Sequence, residues 1–243
     1  MKHVLLLLIL SVSVAARAAS GDFLPKNLTA GDRQKALEIL GFGAQVKLLS
    51  SPVPLGGQQG FEVGLSSEYI PVEDIGGLGA KSSAQGEYNY LAINLGKGLA
   101  YNVDTFVQFT PIPQSEGSFG YGAQLRWGFF ELPRFPAVLS LVIHGGGMNF
   151  SNLLSTRTTG ADLVMTVAMD DIALYFGGGT ARTIGTFAGG ARGITAEGDS
   201  REEDMTGVHT VFGLAFNMEK LFVAFEVNRV AQSAYGGRIG YRF

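Results

Sequence analysis

The stretch that decides the fold is SAYGGRIGYRF, which runs from Ser233 to Phe243 at the end of the chain. Successive side chains of an extended strand point to opposite sides, so this stretch has two different faces. One face carries Tyr235, Ile239, Tyr241 and Phe243. The other face carries Arg238 and Arg242 among glycines. A strand with one apolar, aromatic face that ends directly on a bare aromatic residue is typical of the closing strand of a barrel in a lipid bilayer.

The beginning of the chain predicts export. Lys2 and His3 precede an apolar run from Val4 to Val14, and Ala16 and Ala18 are small residues at the positions that signal peptidase reads. We therefore predict a signal peptide at residues 1–18. The run is too short for a transmembrane helix, which needs about 20 apolar residues. The chain has no Cys, which excludes disulfides, thiolate metal sites and a lipoprotein anchor.

The composition favours a single all-β domain. The chain of 243 residues has 35 Gly, 11% aromatic residues and 16% charged residues, whereas soluble domains have about 25% charged residues. The formal net charge of −3 provides no basic field for nucleic acid, so we predict no nucleic-acid partner.

From Gly60 onward, apolar and polar residues alternate in segments of about ten residues. The clearest segment runs from Phe119 to Phe129, where every second residue is apolar and the intervening ones include glycines, Gln124 and Arg126. The connections between segments alternate between long and short, as in barrels with long outer loops and short periplasmic turns. We predict a transmembrane antiparallel β-barrel of about 10 strands (10–12) over residues 60–243, with its C terminus in the periplasm. The long outer connections are predicted at residues 71–87, 110–118, 148–158 and 182–205.

Residues 19–59 are predicted to form a periplasmic N-terminal segment with a short helix. Thr29 and Asp32 resemble a capping box before a helical run from Arg33 to Leu40, which Gly41 would end. We expect this segment to act as a cap, a plug or an oligomer contact. Residues 43–49 are an alternative transmembrane strand, which would make the count odd and leave an edge for a neighbouring subunit to complete.

The residues predicted to face the lumen are mostly charged or polar. They are Glu62, Glu68, Asp104, Gln124, Arg126, His144, Asp162, Tyr175, Glu226, Arg238 and Arg242, together with Tyr90, Gln108 and His209. A barrel of about ten strands has a narrow interior that side chains largely fill. We therefore expect these balanced charges to form ion pairs that brace the barrel, with a pore lined by the same residues as the alternative.

No set of residues predicts catalysis, and we expect no catalytic, cofactor-binding or metal-binding residues. Ser140 and His144 share a strand face but are too far apart along it for a direct hydrogen bond. The acidic pair Asp170 and Asp171 falls in a predicted periplasmic turn. The acidic run from Glu197 to Asp204 lacks the ligand order of a calcium loop and is interpreted as a solvated outer loop.

The alternating pattern from Gly60 and the ending Tyr241-Arg242-Phe243 resemble small Gram-negative outer-membrane β-barrels of the porin-like group, which predatory bacteria also have. The resemblance implies location in the outer membrane, contact with outer-membrane lipid, and assembly by the barrel machinery, which would read Tyr241 and Phe243. It also implies a homo-oligomer.

The expected function is therefore non-catalytic. The protein would be a structural barrel or a narrow porin-like channel, alone or in a homo-oligomeric ring that contacts or encloses lipid, and not an enzyme. The alternatives are a lipid-modifying or proteolytic barrel enzyme and a secreted soluble β-sandwich.

Overall fold

The protein forms ten strands and one α-helix in a computed structural model that describes residues 24–80, 86–110 and 117–243. The helix is α1 (Ala30–Gly43). The strands are β1 (Phe61–Pro71), β2 (Glu87–Gly98), β3 (Val103–Thr110), β4 (Phe119–Glu131), β5 (Ala137–Phe150), β6 (Leu154–Met169), β7 (Ile172–Phe187), β8 (Arg201–Met218), β9 (Leu221–Arg229) and β10 (Ser233–Arg242). The predicted signal peptide lies outside the described residues. No helix in the described ranges is long and apolar enough to cross a membrane.

The ten strands form a closed antiparallel barrel in which each strand pairs with its neighbours in sequence. Closure comes from β1 and β10, whose register runs from Glu62 opposite Arg242 to Tyr69 opposite Tyr235. Because each strand pairs with a neighbour on both sides over its central residues, the sheet closes on itself within one chain. The predicted ten-stranded barrel is confirmed.

The outward face of the barrel is apolar. Its middle exposes Leu65, Val107, Phe212 and Phe225, each more than half exposed. Aromatic side chains lie outward at both ends. Near the C terminus they are Phe61, Trp127, Phe129 and Phe243, and at the other end they are Phe119, Tyr121, Tyr69 and Tyr235. An apolar band between two aromatic girdles is the lipid-facing surface of a transmembrane barrel.

Two of the predicted outer loops are shorter than expected, because the strands beside them are longer. The predicted loop 182–205 is reduced to residues 188–200, since β7 and β8 continue into it. The predicted loop 148–158 is a tight turn in which Ser151 and Asn152 have φ values of 52° and 59°. These strand ends have polar residues such as Arg157 and Thr159 on their outward face. They therefore lack the alternation of apolar and polar residues from which the strands were predicted.

The predicted capping box of α1 is confirmed, but the helix ends later than expected. The Thr29 hydroxyl accepts from the Asp32 amide, and the Thr29 amide donates to the Asp32 carboxylate at 3.0 Å. Gly41 does not end the helix. It lies against the barrel wall, where a Cβ atom would be 2.6 Å from Thr183 Oγ1, and its carbonyl accepts from Thr158 Oγ1 at 3.0 Å. The helix continues to Gly43, so Gly41 serves close packing.

Helix α1 lies inside the barrel, at the end opposite the C terminus. Its apolar side chains, including Leu37 and Leu40, join a buried cluster with wall residues near the strand ends. The wall members are Ile70, Tyr88, Met148, Phe150, Leu154 and Phe187. Phe243, by contrast, donates its amide to Phe61 at the beginning of β1. The helix and the C terminus were both predicted to be periplasmic. They lie at opposite ends of the barrel, so at most one of them is in the periplasm.

Residues 44–56, here called the lumen segment, run through the barrel without regular secondary structure from α1 toward the beginning of β1. Val46 packs against Gly122 and Gly146. Pro54 packs against Gly128, closer to the end of the barrel that carries the C terminus. The segment is not part of the sheet, so residues 43–49 do not form a transmembrane strand. The chain therefore enters the lumen at one end and leaves it at the other.

Candidate functional site

The filled lumen is the site at which the predicted inward residues meet. All eleven of the lumen-facing candidates lie on the inward face, and all except the half-buried Arg242 are buried. Their side chains contact one another, the lumen segment, or both. The strand alternation places them inward, because every second residue of a strand faces the same side.

Glu226 on β9 binds the backbone of the lumen segment. Its carboxylate accepts from the amides of Leu48 at 2.9 Å and Leu49 at 2.5 Å. It also accepts from the Tyr175 hydroxyl at 2.7 Å and the Asn228 amide at 2.6 Å. Four donors thus satisfy one buried carboxylate, which is the condition under which burial of a charge is tolerated.

A buried ion pair joins the same segment to β1. Lys47 Nζ lies 2.7 Å from Glu68 Oε2, and both side chains are fully buried. The Tyr90 hydroxyl and the Gln108 amide also donate to Glu68, at 2.5 and 2.6 Å. Removing either charge would leave the other buried without its counter-charge, a loss of about 3–5 kcal/mol.

Arg126 on β4 also binds the segment, but it donates to the segment's acceptors, whereas Glu226 accepts from its amides. Its guanidinium donates to the Leu48 carbonyl and the Ser50 hydroxyl, both at 2.7 Å. Its carbon Cζ lies 3.8 Å from the centre of the Phe106 ring, a cation–π contact. The segment is therefore held by both its donors and its acceptors.

Further contacts continue toward the end that carries the C terminus. The Ser140 hydroxyl donates to the Pro52 carbonyl at 3.0 Å, and the Leu55 amide donates to Asp104 at 3.1 Å. Glu62 forms ion pairs with Arg238 and Arg242, both at 2.8 Å. The expectation that inward charges pair with each other describes Glu62. Glu68, Asp104, Arg126 and Glu226 instead bind the lumen segment, which sequence reasoning missed.

The lumen between the segment and the wall is closely packed. A crevice beside Val46, Lys47, Gln124 and Arg126 is lined by ten described residues and has no room for a water molecule. The wall therefore contacts the segment directly along this part of its path.

At the helix end of the barrel, a second set of ion pairs joins α1 to residues around the mouth. Arg33 on α1 lies 2.6 Å from Glu197 and 2.8 Å from Glu203. Burial opposes the charge of Arg33, but the hydrogen bonds that its guanidinium donates to these two carboxylates outweigh this effect and raise the pKa of Arg33. The run from Glu197 to Asp204 was interpreted as a solvated loop. Instead, its residues from Arg201 belong to β8, and Glu203 binds the helix.

His144, Asp162 and His209 meet on the inward wall of β5, β6 and β8. His144 Nε2 lies 3.1 Å from Asp162 Oδ2, and His209 Nδ1 lies 2.8 Å from Asp162 Oδ1. The sequence predicted each residue to face the lumen but did not predict that they meet. The signal was available in the glycines opposite them: Gly160 pairs with His144, and Gly179 pairs with both Asp162 and His209.

The residues weighed for catalysis do not form a catalytic group with one another. Ser140 donates to the Pro52 carbonyl rather than to His144. Asp170 and Asp171 form the tight turn between β6 and β7, at the end of the barrel that carries the C terminus.

Tyr241 and Phe243, the predicted assembly signal, lie at the closing seam. Their rings are 4.7 Å apart, and Phe243 is 64% exposed.

A closed ten-stranded barrel with an apolar outward band, aromatic girdles and a lumen filled by its own N-terminal segment defines the class: a small outer-membrane β-barrel. No protein-family model and no curated protein matches the chain.

Several solved structures that are similar to it are outer-membrane barrels. The N-terminal β-barrel domain of Pseudomonas aeruginosa OprF has 12% identity over 77% of this chain and 99% of that chain, with a TM-score of 0.39. Ail, the attachment invasion locus protein of Yersinia pestis, has 12% identity over 76% and 97%, with a TM-score of 0.32. The KdgM porin has 11% identity over 75% and 99%, with a TM-score of 0.34. The assignment to the class rests on the outward surface and the closed sheet, not on these likenesses.

Proposed function

We propose that this protein is a non-catalytic, structural outer-membrane barrel that is closed as folded and does not conduct. One observation carries the proposal: the lumen segment occupies the interior and binds inward side chains along its length. These side chains are Glu68, Glu226, Arg126 and Asp104. A narrow porin-like channel is the alternative, and it would require this segment to leave the lumen.

Conductance in planar bilayers tests this proposal. We expect the wild-type protein to be silent, and a variant that lacks residues 30–56 to conduct, because deletion removes the material that fills the lumen. Ion conductance by the wild-type barrel would contradict the closed state.

A disulfide between the segment and the wall provides the matched control. In Val46→Cys/Gly122→Cys, a Cβ atom built at position 122 lies 3.4 Å from the Cβ atom of Val46, close to the usual 3.5–4.5 Å of a disulfide. The native chain has no Cys, so no other pairing competes. If the wild type conducts and the oxidised variant does not, the protein is a gated channel.

We also propose that the barrel forms a homo-oligomer through the outward face of β6 to β8. A depression on this face is lined by Arg182 and by small residues, including Thr159, Ala161, Thr180 and Thr206. Small residues let two backbones approach closely in a membrane, where packing drives association.

Light scattering of the detergent-solubilised protein, corrected for bound detergent and lipid, should give the mass of two or more chains. Thr180→Trp should reduce it to one chain, whereas Val107→Trp on β3 should not. A monomeric wild type would refute this proposal.

A further inference from the structure

The two histidines that follow the predicted signal peptide converge on one buried aspartate. The chain has three histidines, of which His3 lies in the predicted signal peptide. His144 and His209 come from β5 and β8, 65 positions apart, yet both rings face Asp162 on β6. All three side chains are buried, and their candidate ligand atoms lie within 4.8 Å of one another.

The wall around this group is shaped to admit it. A Cβ atom at position 160 would lie 2.6 Å from His144 Nε2, and one at position 179 would lie 2.7 Å from Asp162 Oδ1. Side chains at these two positions would occupy the space through which the imidazoles approach the carboxylate. Gly179 stands between Asp162 and His209 in the sheet, so its lack of a side chain lets His209 reach across β7.

The hydrogen bonds of Asn228 determine which nitrogen of His209 carries a proton. The Asn228 amide nitrogen donates to Glu226, a carboxylate. The amide oxygen of Asn228 therefore faces His209 Nε2 at 2.7 Å, so Nε2 must donate. In the neutral ring, Nδ1 then points a lone pair at Asp162. A lone pair that faces a carboxylate at 2.8 Å is repulsive, and either a proton on Nδ1 or a metal ion shared by the two groups relieves the repulsion.

His144 supplies the second argument. It is only 5% exposed, and neither of its ring nitrogens has a hydrogen-bond partner with acceptable geometry. Its Nε2 is nevertheless 3.1 Å from Asp162. His144 therefore has a buried nitrogen that is directed at a carboxylate which a second imidazole also faces, and that nitrogen is available to a metal ion.

We infer that His144 Nε2, Asp162 and His209 Nδ1 bind a divalent first-row transition metal ion, such as zinc, inside the barrel wall. Two imidazoles and a carboxylate are ligands that zinc accepts, at about 2.0–2.2 Å. Ligand atoms at such distances and tetrahedral angles lie about 3.3–3.6 Å apart. The contacts of 2.8 and 3.1 Å need only a small outward adjustment to reach this spacing. Asn228 would orient His209 from behind, as outer partners of metal-binding histidines do.

The site would tie three strands together close to the lumen segment. His144 is paired on β4 with Gln124, whose amide donates to the Lys47 carbonyl. Because the ligands are buried, the ion would enter before or during barrel closure, and its binding free energy would contribute to folding.

The test is the metal content of the folded protein, purified with an affinity tag that contains no histidine. The barrel is refolded with excess zinc sulfate, dialysed against buffer without metal, and analysed by elemental mass spectrometry. We expect about one zinc per chain in the wild type and less than about a tenth of that in Asp162→Asn. Asp104→Asn, which removes a buried inward carboxylate away from the histidines, should keep its zinc.

Two further measurements keep the inference falsifiable if Asp162→Asn fails to fold. Asn228→Leu retains all three ligands and should weaken zinc binding about 10- to 100-fold. Wild-type barrel refolded with a chelator should unfold at a lower temperature, and added zinc should restore it. A folded wild type without bound zinc, or equal zinc in wild type and Asp162→Asn, would overturn the inference and leave a proton-linked ion pair.

Discussion

Replacing Glu226 with Gln should release the lumen segment while the sheet of the barrel stays closed. One carboxylate oxygen accepts from Leu49 and Tyr175, and the other accepts from Leu48 and Asn228. A Gln amide has only one acceptor oxygen, so its NH₂ group must face one of these pairs of donors. In the better orientation it donates to the Tyr175 hydroxyl, which can turn to accept, and only the Leu49 amide loses its acceptor.

The magnitude follows from these bonds. A buried amide without an acceptor costs about 1–3 kcal/mol, and each of the three remaining bonds loses about 0.5–1 kcal/mol when the acceptor becomes neutral. Part of this is offset because the buried charge has been removed. We estimate a net loss of about 2–4 kcal/mol in the free energy that holds the segment. At tenfold per 1.4 kcal/mol, the released population should rise about 30- to 700-fold.

Trypsin cleavage after Lys47 measures this release. Lys47 is 2% exposed and lies within the segment, so the protease reaches it only when the segment has left the lumen. Cleavage then follows the population of the open state. Ser140→Ala is the control: it removes one neutral bond, to Pro52, and should accelerate cleavage only about fivefold. A Glu226→Gln barrel that remains folded and is cleaved within twofold of the wild-type rate would refute the reasoning.

Three further predictions concern the helix and the closing seam. Asp32→Asn should speed hydrogen exchange of residues 30–40 about fivefold at pH 7, measured by mass spectrometry, since the Thr29 hydroxyl and amide lower the pKa of Asp32 and so stabilise the helix. That stability is present above the unfolded pKa of about 3.9 and is lost as the pH falls through the lower folded value, so the difference should close in acid; persistence there would contradict it. Gly41→Ala should destabilise the helix by about 1–3 kcal/mol, because the new Cβ atom meets Thr183 and Leu37, whereas Gly31→Ala, with no atom within 4 Å, should be neutral or stabilising in the same exchange assay. Phe243→Ala should reduce the yield of barrel assembled in cells but leave the thermal stability of the refolded protein within about 1 kcal/mol, because Phe243 is largely exposed; equal yields would remove its proposed role as a signal.

The sequence predicted the barrel well because alternation is a local property. Each inward position, such as Arg126 or Glu226, follows from its immediate neighbours in the strand. The partners of these side chains were not predictable in this way, since Leu48 lies 178 positions from Glu226. Charge balance alone suggested that wall residues pair with each other. Nothing local indicates that a backbone from another part of the chain supplies the donors and acceptors.

The position of α1 follows from a difference in polarity between the two ends of the inner wall. The inward residues of the sequence contain this difference, but alternation alone does not reveal it. Inward residues at the end away from the C terminus are apolar, among them Ile70, Phe150 and Phe187, whereas those at the other end are charged, among them Glu62 and Arg238. Leu37 and Leu40 of the helix need an apolar surface to bury against, so only the first end accepts it. The segment that follows has amides and carbonyls that no helix or sheet bond uses, and charged side chains in the middle of the wall bind several of them. The apolar helix thus lies against the apolar part of the wall, and the polar backbone of the segment lies against the charged part. If the short turns face the periplasm, as predicted, this matching puts the helix at the outer mouth of the barrel.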